Sequence, residues 1–106
     1  MSQSLIYITA ANREEATSIA HELINIRLAA CANIITGTTS IFRWKEDICE
    51  EEEVTLILKT QAENVDRIVE KVKSMHSYDC PCVISIPISG GNTNFLNWIN
   101  TETITK

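Results

Sequence analysis

The chain has little positive charge, little glycine and proline, and no long apolar run, and each shortage argues against a class of protein. Nine Lys and Arg stand against fourteen Asp and Glu, which gives a net charge of −5 at pH 7. A generic nucleic-acid binder needs the opposite field to follow the phosphates, so that class is disfavoured. The apolar runs are only a few residues long, so no membrane span is predicted. With three Gly and two Pro there is no flexible linker, and we expect one domain over residues 1–106.

The familiar catalytic motifs are also missing from the sequence. It contains no Ser-His-Asp order, Walker loop, Gly-rich dinucleotide turn or His-Glu-x-x-His, and Gly90-Gly91 is too short to cradle a phosphate. An enzyme would need an ionisable residue with a perturbed pKa in an accessible cleft. Because no motif points to such a residue, we expect a protein that is not an enzyme.

The chain does contain four cysteines, Cys31, Cys49, Cys80 and Cys82. The first residues are polar and are followed by only a short apolar stretch, so no signal peptide is visible. We therefore expect a cytoplasmic protein with free thiols, because the cytosol keeps most cysteines reduced.

The spacing of apolar residues predicts strands alternating with helices. Strands are predicted over 4–10, 30–44, 54–59 and 82–88, and helices over 12–27 and 60–75, with a short closing helix after Thr93. Asn12 with Glu15 and Thr60 with Glu63 predict capped starts for the first two helices. Gly37 predicts a bulge in the long second strand, and Pro87 places the last strand at a sheet edge.

This order is β-α-β-β-α-β plus a C-terminal helix, the ferredoxin-like α+β arrangement. It places both main helices on one face of a four-stranded sheet, with the second and fourth strands at the edges. The other face has no cover except the short terminal helix. The long second strand is rich in Ile, Phe and Trp, and an exposed edge of that kind pairs with other strands. The pattern therefore predicts a closed homo-oligomer.

Several segments are recognisable as they stand. They are Arg27-Leu28-Ala29-Ala30-Cys31-Ala32-Asn33-Ile34-Ile35, Gly37, Thr39-Ser40-Ile41-Phe42-Arg43-Trp44, Glu53-Val54, Leu58-Lys59-Thr60, His76 with Tyr78 and Pro81, Ile86-Pro87-Ile88, and Leu96-Asn97-Trp98-Ile99. Through them the chain resembles the CutA family of divalent-cation tolerance proteins. The resemblance implies a ferredoxin-like subunit in a tight homotrimer, whose long second and third strands make intersubunit sheets, as well as a fold similar to the trimeric PII signalling proteins. It also implies a link to copper and other divalent cations.

The segment after the second helix carries the best candidates for metal ligands. His76, Cys80 and Cys82 fall within seven residues, and imidazole and thiolate suit Cu(I) or Zn(II). The alternative is one buried thiol, one incidental thiol and a histidine bonded to local backbone. The resemblance adds no further ligand, because Ile8 stands where some members carry a cysteine and Cys82 where many carry an acid.

The acidic run Glu50–Glu53, with Glu46 and Asp47 nearby, has two possible interpretations. Its carboxylates could attract hard divalent cations, although the spacing is not that of an EF-hand. The alternative, which we favour, is a solvated hairpin that keeps the sheet edge soluble.

A second candidate site comes from the resemblance, which implies that Arg43, Trp44, Lys59 and Tyr78 gather near a cleft between subunits. An aromatic wall with Lys or Arg could hold a small anion or acid. The alternative is plain interface packing, which aromatic residues and Arg commonly provide.

Together these observations predict a trimeric divalent-cation tolerance protein that binds copper or other divalent metal ions weakly and requires no cofactor. The alternative is a PII-like trimeric signalling or scaffold module that binds a small metabolite or a partner protein in its intersubunit clefts.

Overall fold

In a computed structural model, which describes residues 2–104, the chain folds into a four-stranded antiparallel sheet with three α-helices. The elements are β1 (Gln3–Ala10), α1 (Arg13–Asn25), β2 (Cys31–Trp44), β3 (Asp47–Gln61), a 3-10 turn (Ala62–Asn64), α2 (Val65–Met75), β4 (Val83–Ile88) and α3 (Thr93–Glu102). Met1, Thr105 and Lys106, the ends of the expected domain, lie outside the described residues. The strand order is β2-β3-β1-β4, which confirms the predicted ferredoxin-like topology with the second and fourth strands at the edges.

One face of the sheet packs against α1 and α2. The fully buried side chains of this layer alternate along the strands and recur at helical spacing in the helices; they include Ile6, Ile8, Leu56, Leu58, Ile19, Leu23, Ile68 and Val72. Burying a side chain of this size stabilises the fold by about 1.5–3 kcal/mol. The apolar residues that alternate along the strands and those at helical spacing in the helices therefore form one core, with both helices on the same side of the sheet.

The opposite face is covered at one end only. There the Gln3 Nε2 donates to Asn100 Oδ1 (3.0 Å), and the Gln61 Nε2 donates to Thr103 Oγ1 (2.9 Å), which fastens α3 across β1 and β3. Beyond α3, Ile84 and Ile86 of β4 are about half exposed. The uncovered face predicted from the sequence is thus present in the single chain.

β2 and β3 form a long hairpin. Its register shifts between Ile35 and Thr38, where Gly37 has a φ of 83°, so the predicted bulge is confirmed. Lys45 and Glu46 turn the chain with φ values of 49° and 75°. β3 begins at Asp47 instead of at residue 54, because the acidic run pairs with β2 along the whole arm.

The two predicted helix caps have different outcomes. Asn12 caps α1, since its Oδ1 accepts from the Glu15 backbone N (2.8 Å). The Thr60–Glu63 capping box is wrong: Thr60 is buried in β3, and its hydroxyl donates to the carbonyl of Leu28 (2.5 Å). A 3-10 turn follows, and α2 begins at Val65.

The end of α1 also differs from the prediction. The helix stops at Asn25, short of Arg27, whose φ of 63° lies in the left-handed region and ends the helical geometry.

Within residues 2–104, no helix has the length and apolar character needed to cross a membrane.

Candidate functional site

The loop between α2 and β4 folds back onto the end of β1, and His76 anchors it there. The His76 side chain is fully buried. Its Nε2 lies 2.7 Å from the carbonyl oxygen of Thr9, and its Nδ1 lies 3.1 Å from the backbone N of Tyr78. A carbonyl only accepts and a backbone N–H only donates, so Nε2 carries the proton and Nδ1 accepts. The ring is therefore a neutral imidazole with both nitrogens occupied.

Glu15 ties the start of α1 to the same loop. Its Oε1 accepts from the backbone N of Ala11 (3.0 Å), its Oε2 accepts from the backbone N of Ser77 (2.8 Å), and its Oε1 lies 3.8 Å from His76 Nδ1. Burial acts to raise the pKa of Glu15, but the hydrogen bonds from Ala11 and Ser77 outweigh it and hold the pKa below its ordinary value. The carboxylate is thus ionised and fully engaged in fixing the loop.

Tyr78 extends this polar cluster to β3. Its hydroxyl donates to Glu53 Oε2 (2.8 Å), and its ring lies 4.6 Å from the His76 ring, centre to centre. Burial and then the hydrogen bond and charge of Glu53 raise the pKa of Tyr78 to about 12. Glu53 is the buried member of the acidic run, and its position opposite Thr38, just beyond the bulge, brings it to the loop.

Cys80 and Cys82 occupy the outer part of what we call the cysteine loop, residues 77–82. Both are exposed and unpaired. Burial and the charge of Glu53 raise the pKa of the Cys82 thiol, against an opposing hydrogen bond with Thr9. Within residues 2–104, no three His, Cys, Asp or Glu side chains converge closely enough to hold a metal ion together.

The four cleft residues predicted from the resemblance do not meet within one chain. Arg43 and Trp44 are exposed near the hairpin tip, and the Arg43 Nη1 donates to the Glu46 carbonyl (3.4 Å). Lys59 lies near the other end of β3, where it donates to Asn33 Oδ1. Ile48, the cross-strand partner of Arg43, is eleven positions from Lys59, or roughly 35 Å along a strand. Tyr78 lies in the cysteine loop.

The sequence did not single out Glu15 or Glu53 as part of this site. Glu15 was predicted only as a helix cap, and Glu53 only as one of four acids in a run. The available signal was the position of Glu53 as the acid nearest the buried end of β3, where the hydroxyl of Tyr78 donates to it. Finding that pair requires the register of β2 against β3, which is non-local.

Comparisons with known proteins agree with this fold. The family model described as CutA1 divalent ion tolerance protein matches residues 4–102. The divalent-cation tolerance protein CutA of Thermus thermophilus is 38% identical over 101 residues, which are 95% of this chain and 98% of that protein. Protein CutA 1, chloroplastic, of Oryza sativa is 38% identical over 93% of this chain, but the match spans only 56% of that longer protein.

A solved structure gives the same result in three dimensions. The crystal structure of CutA1 from Oryza sativa superposes with a TM-score of 0.97 at 36% sequence identity, covering all of this chain and 97% of the other. The matches in sequence and in structure both run from β1 to α3. The chain therefore belongs to the CutA1 family of divalent ion tolerance proteins.

Proposed function

We propose that this chain, a single domain over residues 1–106, works as a homotrimer that binds copper or other divalent metal ions weakly and reversibly. The observation that carries the proposal is the cysteine loop, which presents two free, exposed thiols, Cys80 and Cys82, the second of them under the influence of the Glu53 charge. Thiolate ligands select soft and borderline ions such as copper and zinc. Membership of a family named for divalent ion tolerance supports this use of the loop.

His76 is the third proposed ligand, and its surroundings limit its share in binding. An ion at Nδ1 would have to displace the bond from the Tyr78 backbone N, and an ion at Nε2 the bond to Thr9. Each exchange gives up a hydrogen bond worth about 1 kcal/mol. We therefore assign the main donor role to the two thiols and a minor one to the imidazole. We expect binding to be reversible because both thiols lie on an exposed loop and, within the described part of the chain, no third ligand is preformed beside them.

Competition against a colorimetric Cu(I) chelator under reducing conditions tests this proposal. The double variant Cys80→Ser with Cys82→Ser should lose most of the copper that the unmodified protein takes from the chelator. The matched control, Cys31→Ser with Cys49→Ser, removes two half-buried thiols and should compete like the unmodified protein. His76→Gln should weaken binding only slightly. Equal competition by both double variants would eliminate the proposed site.

The trimer is supported by what a single chain leaves exposed. Ile41 and Ile48, neighbours on one face of the hairpin, are 67% and 70% exposed, and β2 is an unpaired edge. Apolar side chains on a free edge of this length favour pairing with further copies. Light scattering should give three times the 11.9 kDa subunit mass. Ile48→Asp should lower that mass, whereas Ile24→Asp, on the outer side of α1, should not.

A second candidate function uses a cleft between subunits. Arg43 and Trp44 are exposed, and the Lys45 Nζ lies 6.0 Å from the centre of the Trp44 ring, so the hairpin tip combines cations with an aromatic wall. In a trimer this tip could approach Lys59 and Tyr78 of a neighbour and bind a small metabolite or a partner protein, as a signalling or scaffold module does. Stabilisation of the protein against heat by organic anions but by no metal ion would favour this function over the first.

We place the protein in the cytoplasm, where reductants would keep the thiols of the cysteine loop available. We assign it no catalytic step, since the ionisable groups of the polar cluster are occupied in holding the loop. Exposed lysines and arginines are too few, against a net charge of −5, for a nucleic-acid partner.

A further inference from the structure

We propose that Thr9 of β1 is a positioning residue for the metal site, because it bonds two of the three proposed ligands, Cys82 and His76. Its role rests on the function proposed above and adds a residue outside the cysteine loop that sets the affinity for copper. The same contacts assign Nδ1 as the nitrogen of His76 that takes the ion.

Thr9 lies where β1 runs on past the start of β4. The last pair between these strands is Ile8 with Val83, so the next pair along the same register is Thr9 with Cys82. β4 begins at Val83, which leaves Cys82 at the end of the cysteine loop, beside the edge of β1. Residues opposite each other in an antiparallel register project their side chains from the same face, about 4.5–5.5 Å apart at Cβ. The register of the sheet therefore brings the Cys82 thiol to the Thr9 hydroxyl.

Thr9 holds the sulfur of Cys82 directly. Hydrogen bonds link this sulfur to both the side chain and the backbone of Thr9. Thr9 is only 8% exposed, so water competes little for its hydroxyl. Its β-branched side chain has few rotamers in a strand, which keeps the hydroxyl in one position. Thr9 therefore fixes one of the two sulfur atoms that we assign to the ion.

The carbonyl oxygen of Thr9 orients His76. It accepts a hydrogen bond from Nε2 over 2.7 Å, and the imidazole side chain is fully buried. A histidine that binds a metal ion commonly donates its other ring N–H to a carbonyl, and this bond fixes the tautomer. With the proton on Nε2, only Nδ1 has a lone pair for an ion. Binding at Nδ1 keeps the bond to Thr9 and displaces only the bond from the backbone N of Tyr78.

Holding the ligands in place before the ion arrives should strengthen binding. A side chain that is already ordered loses less conformational entropy when it binds. Loss of a hydrogen bond that orients a metal ligand typically weakens metal binding by about 10–100-fold. Removing the Thr9 hydroxyl frees the Cys82 sulfur but leaves the carbonyl that orients His76. We therefore expect the lower end of that range, about tenfold.

Competition of metal-free protein against a Cu(I) chelator in reductant tests this role. Thr9→Val, which removes the hydroxyl at almost unchanged shape, should bind Cu(I) about tenfold more weakly. Thr9→Ser keeps a hydroxyl and should restore most of the affinity. Thr55→Val is the matched control, because Thr55 lies opposite Thr9 on β3, is 5% exposed and bonds the Thr38 hydroxyl (2.6 Å) instead. This control should bind copper like the unmodified protein, even if urea unfolding shows that both valine variants lose stability.

Nitrogen NMR of the unmodified protein with isotope-labelled histidine tests the assignment of Nδ1. Without metal, His76 should carry its proton on Nε2. Addition of Cu(I) should shift the Nδ1 resonance of His76 and leave the proton on Nε2. His21, exposed on α1, is the internal control and should not shift. This measurement needs no variant, so it stands even if Thr9→Val folds poorly.

Two results would overturn the proposal and leave the thiol site intact. One is equal copper affinity for Thr9→Val and Thr9→Ser, and the other is a shift at Nε2, or at neither nitrogen of His76. Failure of the metal site itself has a different signature. In that case Cys80→Ser with Cys82→Ser would compete for copper as well as the unmodified protein, and Thr9 would lose its assigned role with it.

Discussion

The ionised carboxylate of Glu15 should stabilise the folded protein, and this stabilisation should be lost when acid protonates the carboxylate. Glu15→Gln keeps the size of the side chain but replaces one accepting oxygen by an NH₂ group, so either the Ala11 or the Ser77 backbone N–H loses its partner. Hydrogen bonds to charged groups contribute about 1.5–3 kcal/mol each, and the Glu15 side chain is only 13% exposed. We therefore expect the free energy of unfolding at pH 7 to fall by about 2 kcal/mol.

The difference in stability between the unmodified protein and Glu15→Gln should depend on pH. Folding lowers the pKa of Glu15 below its ordinary 4.5, so the stabilisation is fully present above that value and is lost as the pH falls through the folded-state pKa. Urea unfolding at one protein concentration, from pH 7 to pH 3, measures the difference between the two proteins. Glu14→Gln, in the same first turn, is the control for the helix dipole and should cost less than about 1 kcal/mol. Equal losses for Glu14→Gln and Glu15→Gln, or a gap that persists unchanged at pH 3, would refute the reasoning.

Three further substitutions test other parts of the structure by urea or thermal unfolding. Tyr78→Phe removes the hydroxyl that bonds a buried carboxylate and should cost about 1–2 kcal/mol, whereas Tyr7→Phe should cost less; equal effects would contradict the polar cluster. Gly37→Ala meets no atom within 4 Å but forces a side chain to adopt a φ of 83°, so we expect a loss of about 1 kcal/mol, and no loss would argue against the bulge. Leu56→Ala empties a fully buried position and should cost about 2–5 kcal/mol; a smaller cost would mean that the core relaxes around it.

Much of the fold could be predicted because its signals are local. The spacing of Ile68 and Val72 identified α2, and Gly37 marked the bulge in β2. The predictions were wrong where a residue far away in the sequence determines the local structure. Thr60 has the sequence of a helix cap, but its hydroxyl bonds the carbonyl of Leu28, which lies far away in the chain. The acidic start of β3 is strand because β2 pairs with it, which no local propensity indicates.

The candidate site was predictable in its residue types but not in its connections. His76 and the two loop cysteines stood out because imidazole and thiol are uncommon and close in sequence. The two ring nitrogens of His76 are occupied by hydrogen bonds with the carbonyl of Thr9 and the backbone N–H of Tyr78. Glu53 joins the site only through the register of the hairpin. Such contacts bring together residues from β1, β3 and the loop, and the sequence alone does not give their geometry.

In the function proposed above, the thiols of the cysteine loop hold the metal ion. X-ray absorption spectroscopy of the reduced, copper-loaded protein counts the sulfur atoms around the ion directly. We predict a first shell dominated by sulfur in the unmodified protein and in Cys31→Ser with Cys49→Ser, and its loss in Cys80→Ser with Cys82→Ser. A shell of nitrogen and oxygen alone in the unmodified protein, or a sulfur shell that survives the loss of both loop thiols, would contradict the account.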